Sequence, residues 1–497
     1  MTNSLSVTTY IPPSQRKVLD VKTFQRGSEN EQIRVIDQDF YEVCAQSKKH
    51  IYAIYDKKIE QKVNGGTKED YVNIYHNAMR GESSAVHLIK KHIEEFIIEQ
   101  GLRDTRFPSY YRSLVEGIFE EEFGWGPLAA YKYEKESEGA QVLGTDIKFK
   151  RSWGWELQPF RFRSVGQVME LAHRFSNMHA HTSLNEHSSP EIETRTHDNI
   201  RVSIMIPNRI HEEPVITMRK KVVKDLSFEG LSVYGTIPKE SIPLFESLAR
   251  FTLNSVIAGP PGCGKSTMLQ SFLHYSLYEV VNGKKVPERI NTVYAESFPE
   301  WDVRKLHRHS NVLHIIGRGE EFENIITSSI LRHDISRVVI GEIREHEVGL
   351  FRRASLQGIK QVTGTLHDLD PINIPAILGN LYMQYYPNHV DAQAIYNTFA
   401  RNLHYSISMD EFLVKRDGEE CLEKKVTGIH FYEVENGVSR MYSIMEYDYA
   451  TDSWTFNDTL SNRLIRLISK YNVQAYETFR NTLKRLSGEG VKHVLEH

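Results

Sequence analysis

The sequence predicts an α/β protein: a mostly parallel sheet with crossover helices over residues 241–445, behind a small α+β domain at 123–222 and a helical region at 31–122. Three observations predict it. From 241 to about 445, helical stretches alternate with short β-branched runs such as Asn291-Thr292-Val293-Tyr294-Ala295 and Arg337-Val338-Val339-Ile340, the mark of parallel strands joined by helices. Between 123 and 222, runs such as Ile147-Lys148-Phe149-Lys150 and Phe160-Arg161-Phe162-Arg163 alternate as half-exposed strands do. Over 31–122, segments such as Ala85–Ile98 repeat apolar residues every three or four positions, which places them on one face of a helix.

The elements follow in order. Residues 1–30 are polar and carry Pro12-Pro13, so they read as a flexible arm. Asn64-Gly65-Gly66 marks a loop between helices. Gly124-Trp125-Gly126-Pro127-Leu128 breaks the helical pattern. A helix near 165–178 follows the first strands, then strands over Val202–Ile206 and Val215–Arg219. Residues 223–240, with Gly230, Gly235 and Pro238, read as a linker, and Lys220-Lys221 and Lys224-Asp225 as a solvated face. Residues 446–497 read as a C-terminal helical tail, amphipathic from 460. Leu495-Glu496-His497 read as the start of a tag and carry no functional weight.

Composition narrows the class. The chain has 497 residues, with 61 Lys+Arg against 65 Asp+Glu and a net charge of −4, so it has no general pull toward nucleic acid or anionic lipid. Its three cysteines, Cys44, Cys263 and Cys421, form neither a zinc pattern nor a disulfide framework, and a reducing compartment follows. No apolar run nears the roughly 18 residues of a membrane span, and the first residues do not read as a signal peptide. The expectation is a cytoplasmic protein with peripheral membrane contact at most.

Residues 259–266 read Gly-Pro-Pro-Gly-Cys-Gly-Lys-Ser, a complete phosphate-binding loop G-x-x-x-x-G-K-[ST]. The apolar run Asn254–Ala258 before it suits a buried strand, and Thr267–Leu273 after it suits a helix. The loop residues Gly259, Pro260, Pro261, Gly262, Cys263 and Gly264, with Thr267 after them, would cradle ATP. Glycines let successive N–H groups curl around a polyphosphate, and the helix presents its positive end to it. Lys265 would reach the β- and γ-phosphates and Ser266 would ligate Mg²⁺. Cys263 reads as a small filler in preference to a redox switch.

Turnover also needs acids. Glu342 ends the run Val338-Val339-Ile340-Gly341, and Glu296 ends Val293-Tyr294-Ala295, with Glu300 close behind. Carboxylates at the C-terminal ends of parallel strands lie where such folds bind ligands. One would hold the Mg²⁺ water shell and the other would take a proton from the attacking water. His367 ends the run Val362–Leu366; it reads equally as a structural histidine or as a γ-phosphate sensor.

The order of these pieces resembles the secretion ATPases of type II and type IV secretion systems and type IV pili. Its elements there are Walker A, an acidic box (Glu296-Ser297-Phe298-Pro299-Glu300), Walker B (Val339-Ile340-Gly341-Glu342-Ile343-Arg344) and a histidine box (Gly364-Thr365-Leu366-His367). Asp198–Val202 and Val215–Arg219 resemble the family's N-terminal segments, whose arginines reach the nucleotide; Arg201 and Arg219 match them and Arg195 fits a third. From spacing alone those arginines would read as surface ion-pair partners. Gly124–Leu128, after a helical domain ending Glu120-Glu121-Glu122-Phe123, resembles the tight-adherence (Tad) pilus branch and its Gram-positive and archaeal relatives. The chain departs from the pattern where Ser297 follows Glu296, where Asp368-Leu369 follows His367, where Leu356-Gln357-Gly358-Ile359 lacks a histidine, and in the Pro260-Pro261-Gly262-Cys263 interior. The four-cysteine zinc insertion of type II members is absent.

The resemblance implies a RecA-like ATPase domain behind a PAS-like α+β domain, assembled as a homohexamer against a polytopic inner-membrane platform protein, with no direct nucleic acid. It implies that Lys265, Ser266 and Glu342 hold Mg·ATP, that Glu296 activates water, and that Arg344 belongs to the same site. It further implies that Arg201 and Arg219 neutralise charge on the γ-phosphoryl group, and that phosphate release turns the domains about 223–240. ATP hydrolysis would then power pilus assembly or protein secretion. A conjugation-type DNA motor and a nucleotide-gated assembly platform with little turnover are the alternatives.

Overall fold

A computed structural model describes residues 29–60, 68–151, 153–176, 184–222, 225–281, 284–287, 290–317, 319, 330–368, 370–387, 391–416, 418–435, 438–470 and 472–489. Nearly all of the expected arm at 1–30, the Asn64-Gly65-Gly66 loop, Lys224, Leu369 and Leu495–His497 lie outside them. The chain divides into two compact units at residue 222/223, with 415–420 grouped with the first.

In the first unit, helices Glu29–Glu60, Lys68–Arg80, Ser83–Glu99 and Leu114–Glu122 precede an antiparallel sheet. Its strands are β1 (Gly139–Leu143), β2 (Asp146–Arg151), β3 (Gly154–Arg161), β4 (Glu191–Arg195), β5 (Arg201–Met205) and β6 (Val215–Arg219), in the order β3-β2-β1-β6-β5-β4. A one-faced antiparallel sheet needs cover for its apolar side. The helix Val165–Ser176 buries Val168, Leu171, Ala172 and Phe175. One core runs from Phe40, Ile89 and Ile118 in the helices to Val142, Val202 and Ile204 in the strands. The sequence draws a boundary at 122/123; the shared core makes the helical and α+β regions one unit.

The break at Gly124–Leu128 has a local cause. Glu120, almost wholly buried, accepts from the Trp125 N–H at 2.9 Å and from Lys132 Nζ at 2.6 and 2.8 Å. A Cβ at Gly124 would collide with that carboxylate, and Gly126 takes a positive φ of 55°, a conformation glycine adopts without strain.

The second unit holds β7 (Ser255–Ala258), a hairpin of β8 (Tyr278–Val281) and β9 (Lys284–Pro287), then β10 (Asn291–Glu296), β11 (Val312–Ile316), β12 (Ile335–Ile340), β13 (Gln361–Leu366), β14 (Tyr405–Arg416), β15 (Glu419–Glu435), β16 (Val438–Asp448) and β17 (Ser453–Phe456). The large sheet runs β11-β10-β12-β13-β7-β14-β15-β16-β17. Pairing is parallel from β11 to β14 and antiparallel from β15 to β17. Val256 and Ile257, Val293 and Tyr294, and Val338 and Val339 fall alternately into two separate cores. The parallel strands are therefore buried on both faces, which is why they read as unbroken apolar runs. β13 stands between β7 and β12, a RecA-like order.

Two expected boundaries shift. Phe228, Leu231 and Ile237, inside the expected linker 223–240, are buried in this second core, and Phe228–Val233 is helical. The expected tail from 446 begins inside β16, adds β17, and ends in helices Asn462–Ser469 and Val473–Glu489. Those helices bury Leu464, Phe479 and Leu483 in the same core. Among the described residues, no helix is long and apolar enough to cross a membrane.

Candidate functional site

The loop 259–266 leaves β7 and enters the helix Lys265–Ser276. Its three glycines take positive φ: 155° at Gly259, 90° at Gly262 and 100° at Gly264, the residue that caps the helix. These are the angles that turn N–H groups inward. A Cβ at Gly259 would meet the Met409 carbonyl and lie 2.7 Å from Cys263 Sγ, so Cys263 fills the loop's inner side. The thiol is buried, and burial pushes its pKa up, which keeps it protonated and inert. Pro260 and Pro261 form the outer turn, Ser266 and Thr267 the first helical turn. Lys265 Nζ donates to the Gly259 carbonyl at 2.9 Å and the Pro260 carbonyl at 2.7 Å, and lies 3.4 Å from His367 Nδ1. Burial lowers the lysine pKa.

Three strand ends converge on that lysine. β12 delivers Glu342, β13 delivers His367 and β7 the loop, and these strands are neighbours. Glu342 Oε1 lies 2.5 Å from His367 Nε2 and 2.6 Å from Arg344 Nε. Burial pushes the Glu342 carboxyl up, but the two basic partners outweigh it and bring its pKa down to about 2. His367 therefore bridges Lys265 and Glu342, through one nitrogen each.

Glu296 ends β10, the strand beside β12. It is 3% exposed. Its Oε1 lies 2.7 Å from His314 Nε2 and its Oε2 accepts from the Glu300 N–H at 3.2 Å. Burial raises its pKa, against the pull of His314. Gly341 is required here: its Cβ would fall 2.9 Å from Glu296 Cβ. The two glutamates thus stand on adjacent strands in opposite states, one held ionised and one made more basic.

The sequence does not single out His314, which reaches Glu296 only because β11 pairs with β10. Nor does it single out Glu347, which is buried. Glu347 Oε2 accepts from the Glu345 N–H at 2.8 Å, and Oε1 from Ser297 Oγ. Ser297, the departure from the acidic-box pattern, is thus the donor that ties β10's end to the loop after Glu342.

In the first unit the three expected arginines stand in one row. Arg195 pairs with Arg201 across β4 and β5, and Arg201 with Arg219 across β5 and β6. They project from the face opposite the core. Arg201 Nη2 donates to Glu193 Oε1 at 2.6 Å. The row continues through Gly139, opposite Arg219, to Lys150 and Trp155, which are paired with each other. Like charges in direct register destabilise a sheet, and carboxylates offset them here: Glu193 pairs with Arg201 and Glu138 with Lys150.

A RecA-like sheet with a phosphate loop and acidic strand ends defines a P-loop nucleotide-binding protein. Residues 145–387 match the model of the type II/IV secretion system protein family. The stretch takes in Arg195, Arg201, Arg219, the loop, Glu296, Glu342 and His367. Among solved structures, the VirB11 ATPase of the Brucella suis type IV secretion system, in complex with sulphate, is 15% identical. That match covers 61% of this chain and 95% of the other, with a TM-score of 0.31. The Legionella pneumophila ATPase DotB is 16% identical over 63% and 81%, TM-score 0.43. The pilus retraction motor PilT with bound ADP is 14% identical over 74% and 94%, TM-score 0.44. None of the curated protein sequences compared matches the chain.

Proposed function

We propose that this protein is a hexameric secretion ATPase that hydrolyses ATP to power pilus assembly or protein secretion, on the tight-adherence side of its family. It would act at the cytoplasmic face of a membrane on a polytopic platform protein. The observation that carries the reading is the gathering of Lys265, Glu342, His367 and Glu296 at the ends of neighbouring parallel strands, within the family-matched stretch.

Lys265 exchanges the Gly259 and Pro260 carbonyls for the β- and γ-phosphates. Ser266 and Glu342 fit Mg²⁺: a hydroxyl and a carboxylate kept charged at neutral pH form a hard oxygen set, with the phosphates completing it. Bound there, the ion would draw charge from the phosphate oxygens. Glu296 accepts the proton of the attacking water; its raised pKa makes it a stronger base than an exposed carboxylate. Arg201 and Arg219 neutralise charge developing on the γ-phosphoryl group. Loss of that phosphate frees the arginines, and the change passes to the chain ahead of Phe228, since 228–240 is part of the second core. His367, between Lys265 and Glu342, reports which state the loop is in.

Phosphate release by the purified full chain tests the reading. Wild type should turn over ATP. Lys265→Ala should lose nucleotide binding, and Glu296→Gln should keep binding and lose release. Binding without release in the wild type would favour a nucleotide-gated platform instead.

A further inference from the structure

A carboxylate that accepts the proton of an attacking water has to lose it again before the next turnover. Glu296 is buried, so solvent is not its direct outlet. Its two oxygens have different neighbours. Oε2 accepts from the Glu300 N–H at 3.2 Å, and a backbone amide only donates. Oε1 lies 2.7 Å from His314 Nε2, and a ring nitrogen donates or accepts according to its tautomer. Among the described residues, His314 is the one titratable side chain hydrogen-bonded to Glu296.

His314 stands between that glutamate and water. β11 is the outermost strand of the large sheet, and its Leu313 and Ile316 are exposed. The His314 side chain is 15% exposed, and its Nδ1 has no hydrogen-bond partner among the described residues. The ring's place is set by register. His314 is paired with Tyr294 across β10 and β11, and the two rings meet edge-on with centroids 5.5 Å apart. The imidazole therefore leans along the strands to Glu296, two residues on. Burial pushes the Tyr294 hydroxyl well above the ordinary phenol range, so it stays neutral. From the short helix Val303–Leu306, packed on β11, Arg304 directs Nη1 to the Val312 carbonyl at 3.3 Å. Among the described residues Glu296 is the one carboxylate paired with the ring.

We propose that His314 is a positioning residue for Glu296 and the outlet for its proton. The inference rests on the reading of Glu296 as the base. As the water oxygen bonds to the γ-phosphorus and the bond to the leaving ADP oxygen breaks, the water's proton passes to Glu296. The neutral ring, with its own proton on Nδ1, takes that proton at Nε2. This restores the carboxylate and leaves an imidazolium beside it. The imidazolium gives one proton to water, and exchange with solvent returns the starting tautomer. Histidine suits the step because it gains and loses a proton near neutral pH, and burial raises the Glu296 pKa toward that range.

The test is steady-state phosphate release and ATP affinity on the full chain, comparing wild type with His314→Gln, His314→Ala and Glu296→Gln. A glutamine amide still donates to Glu296 but carries no proton onward. His314→Gln should therefore keep wild-type ATP affinity and lose at least about tenfold in release at saturating ATP. His314→Ala should lose as much, and added imidazole should speed that variant roughly threefold or more while leaving wild type unchanged. Retained ATP affinity shows that each variant is folded. Wild-type release in His314→Gln would reduce the residue to a structural partner and overturn the proposal, as would an alanine variant that imidazole does not speed. Wild-type release in Glu296→Gln would overturn the base reading itself, so the two failures are told apart.

Discussion

Glu342 and Glu296 are the same residue type on adjacent strands, and their surroundings drive them apart. Glu342's folded pKa, about 2, lies below its ordinary 4.5. A depressed carboxylate contributes stability that is complete above the unfolded pKa and is lost as pH falls through the folded one. The gap in unfolding free energy between wild type and Glu342→Gln should therefore be level above about pH 4.5 and close toward pH 2; denaturant titrations across that range measure it. Glu296 carries the opposite sign: burial raises its pKa, so its charged form works against folding at neutral pH. Glu296→Gln should gain thermal stability at pH 7 while losing about 100-fold or more in phosphate release. A variant both less stable and fully active would contradict the assignment of Glu296 as base. The loop and both glutamates were legible because their chemistry is written in consecutive residues. His314 was not: eighteen positions separate it from Glu296, and only the parallel pairing of β10 with β11 brings it to 2.7 Å.

At the scale of elements, the arginine row is a property of register. Arg195, Arg201 and Arg219 are unevenly spaced along the chain, and antiparallel pairing of β4, β5 and β6 aligns them. The resemblance named the residues, but no local pattern revealed the row. Arg201 lies on the solvent side of its strand, so Arg201→Ala should change folding stability by under about 1 kcal/mol, as a denaturation midpoint would record. The C-terminal helix behaves oppositely. Its amphipathic pattern was readable as a helix but not as part of a core, because the partner surface comes from distant chain. Phe479 is fully buried and meets Phe251 with ring centroids 5.3 Å apart. Phe479→Ala should cost about 3–5 kcal/mol of stability, read by chemical unfolding.

At the scale of the whole molecule, the order of parts and the edge at 222/223 were legible, and the other boundaries were not. Helices, then an antiparallel sheet, then a RecA-like sheet follow the periodicity of the apolar residues. The expected edges at 122/123, 240/241 and 445/446 failed because each rested on a change of local pattern, whereas cores close over such changes. The proposed ring of copies makes its own prediction: phosphate release per chain should rise with protein concentration if the oligomer forms, followed by light scattering alongside the assay.

The central claim is that cleavage of ATP in the loop is felt by the arginine row. Steady-state phosphate release, measured with ATP affinity on Arg201→Ala and Arg219→Ala, tests it most directly. The account predicts nucleotide affinity near wild type and release reduced about 100-fold. Wild-type release in both variants would contradict it.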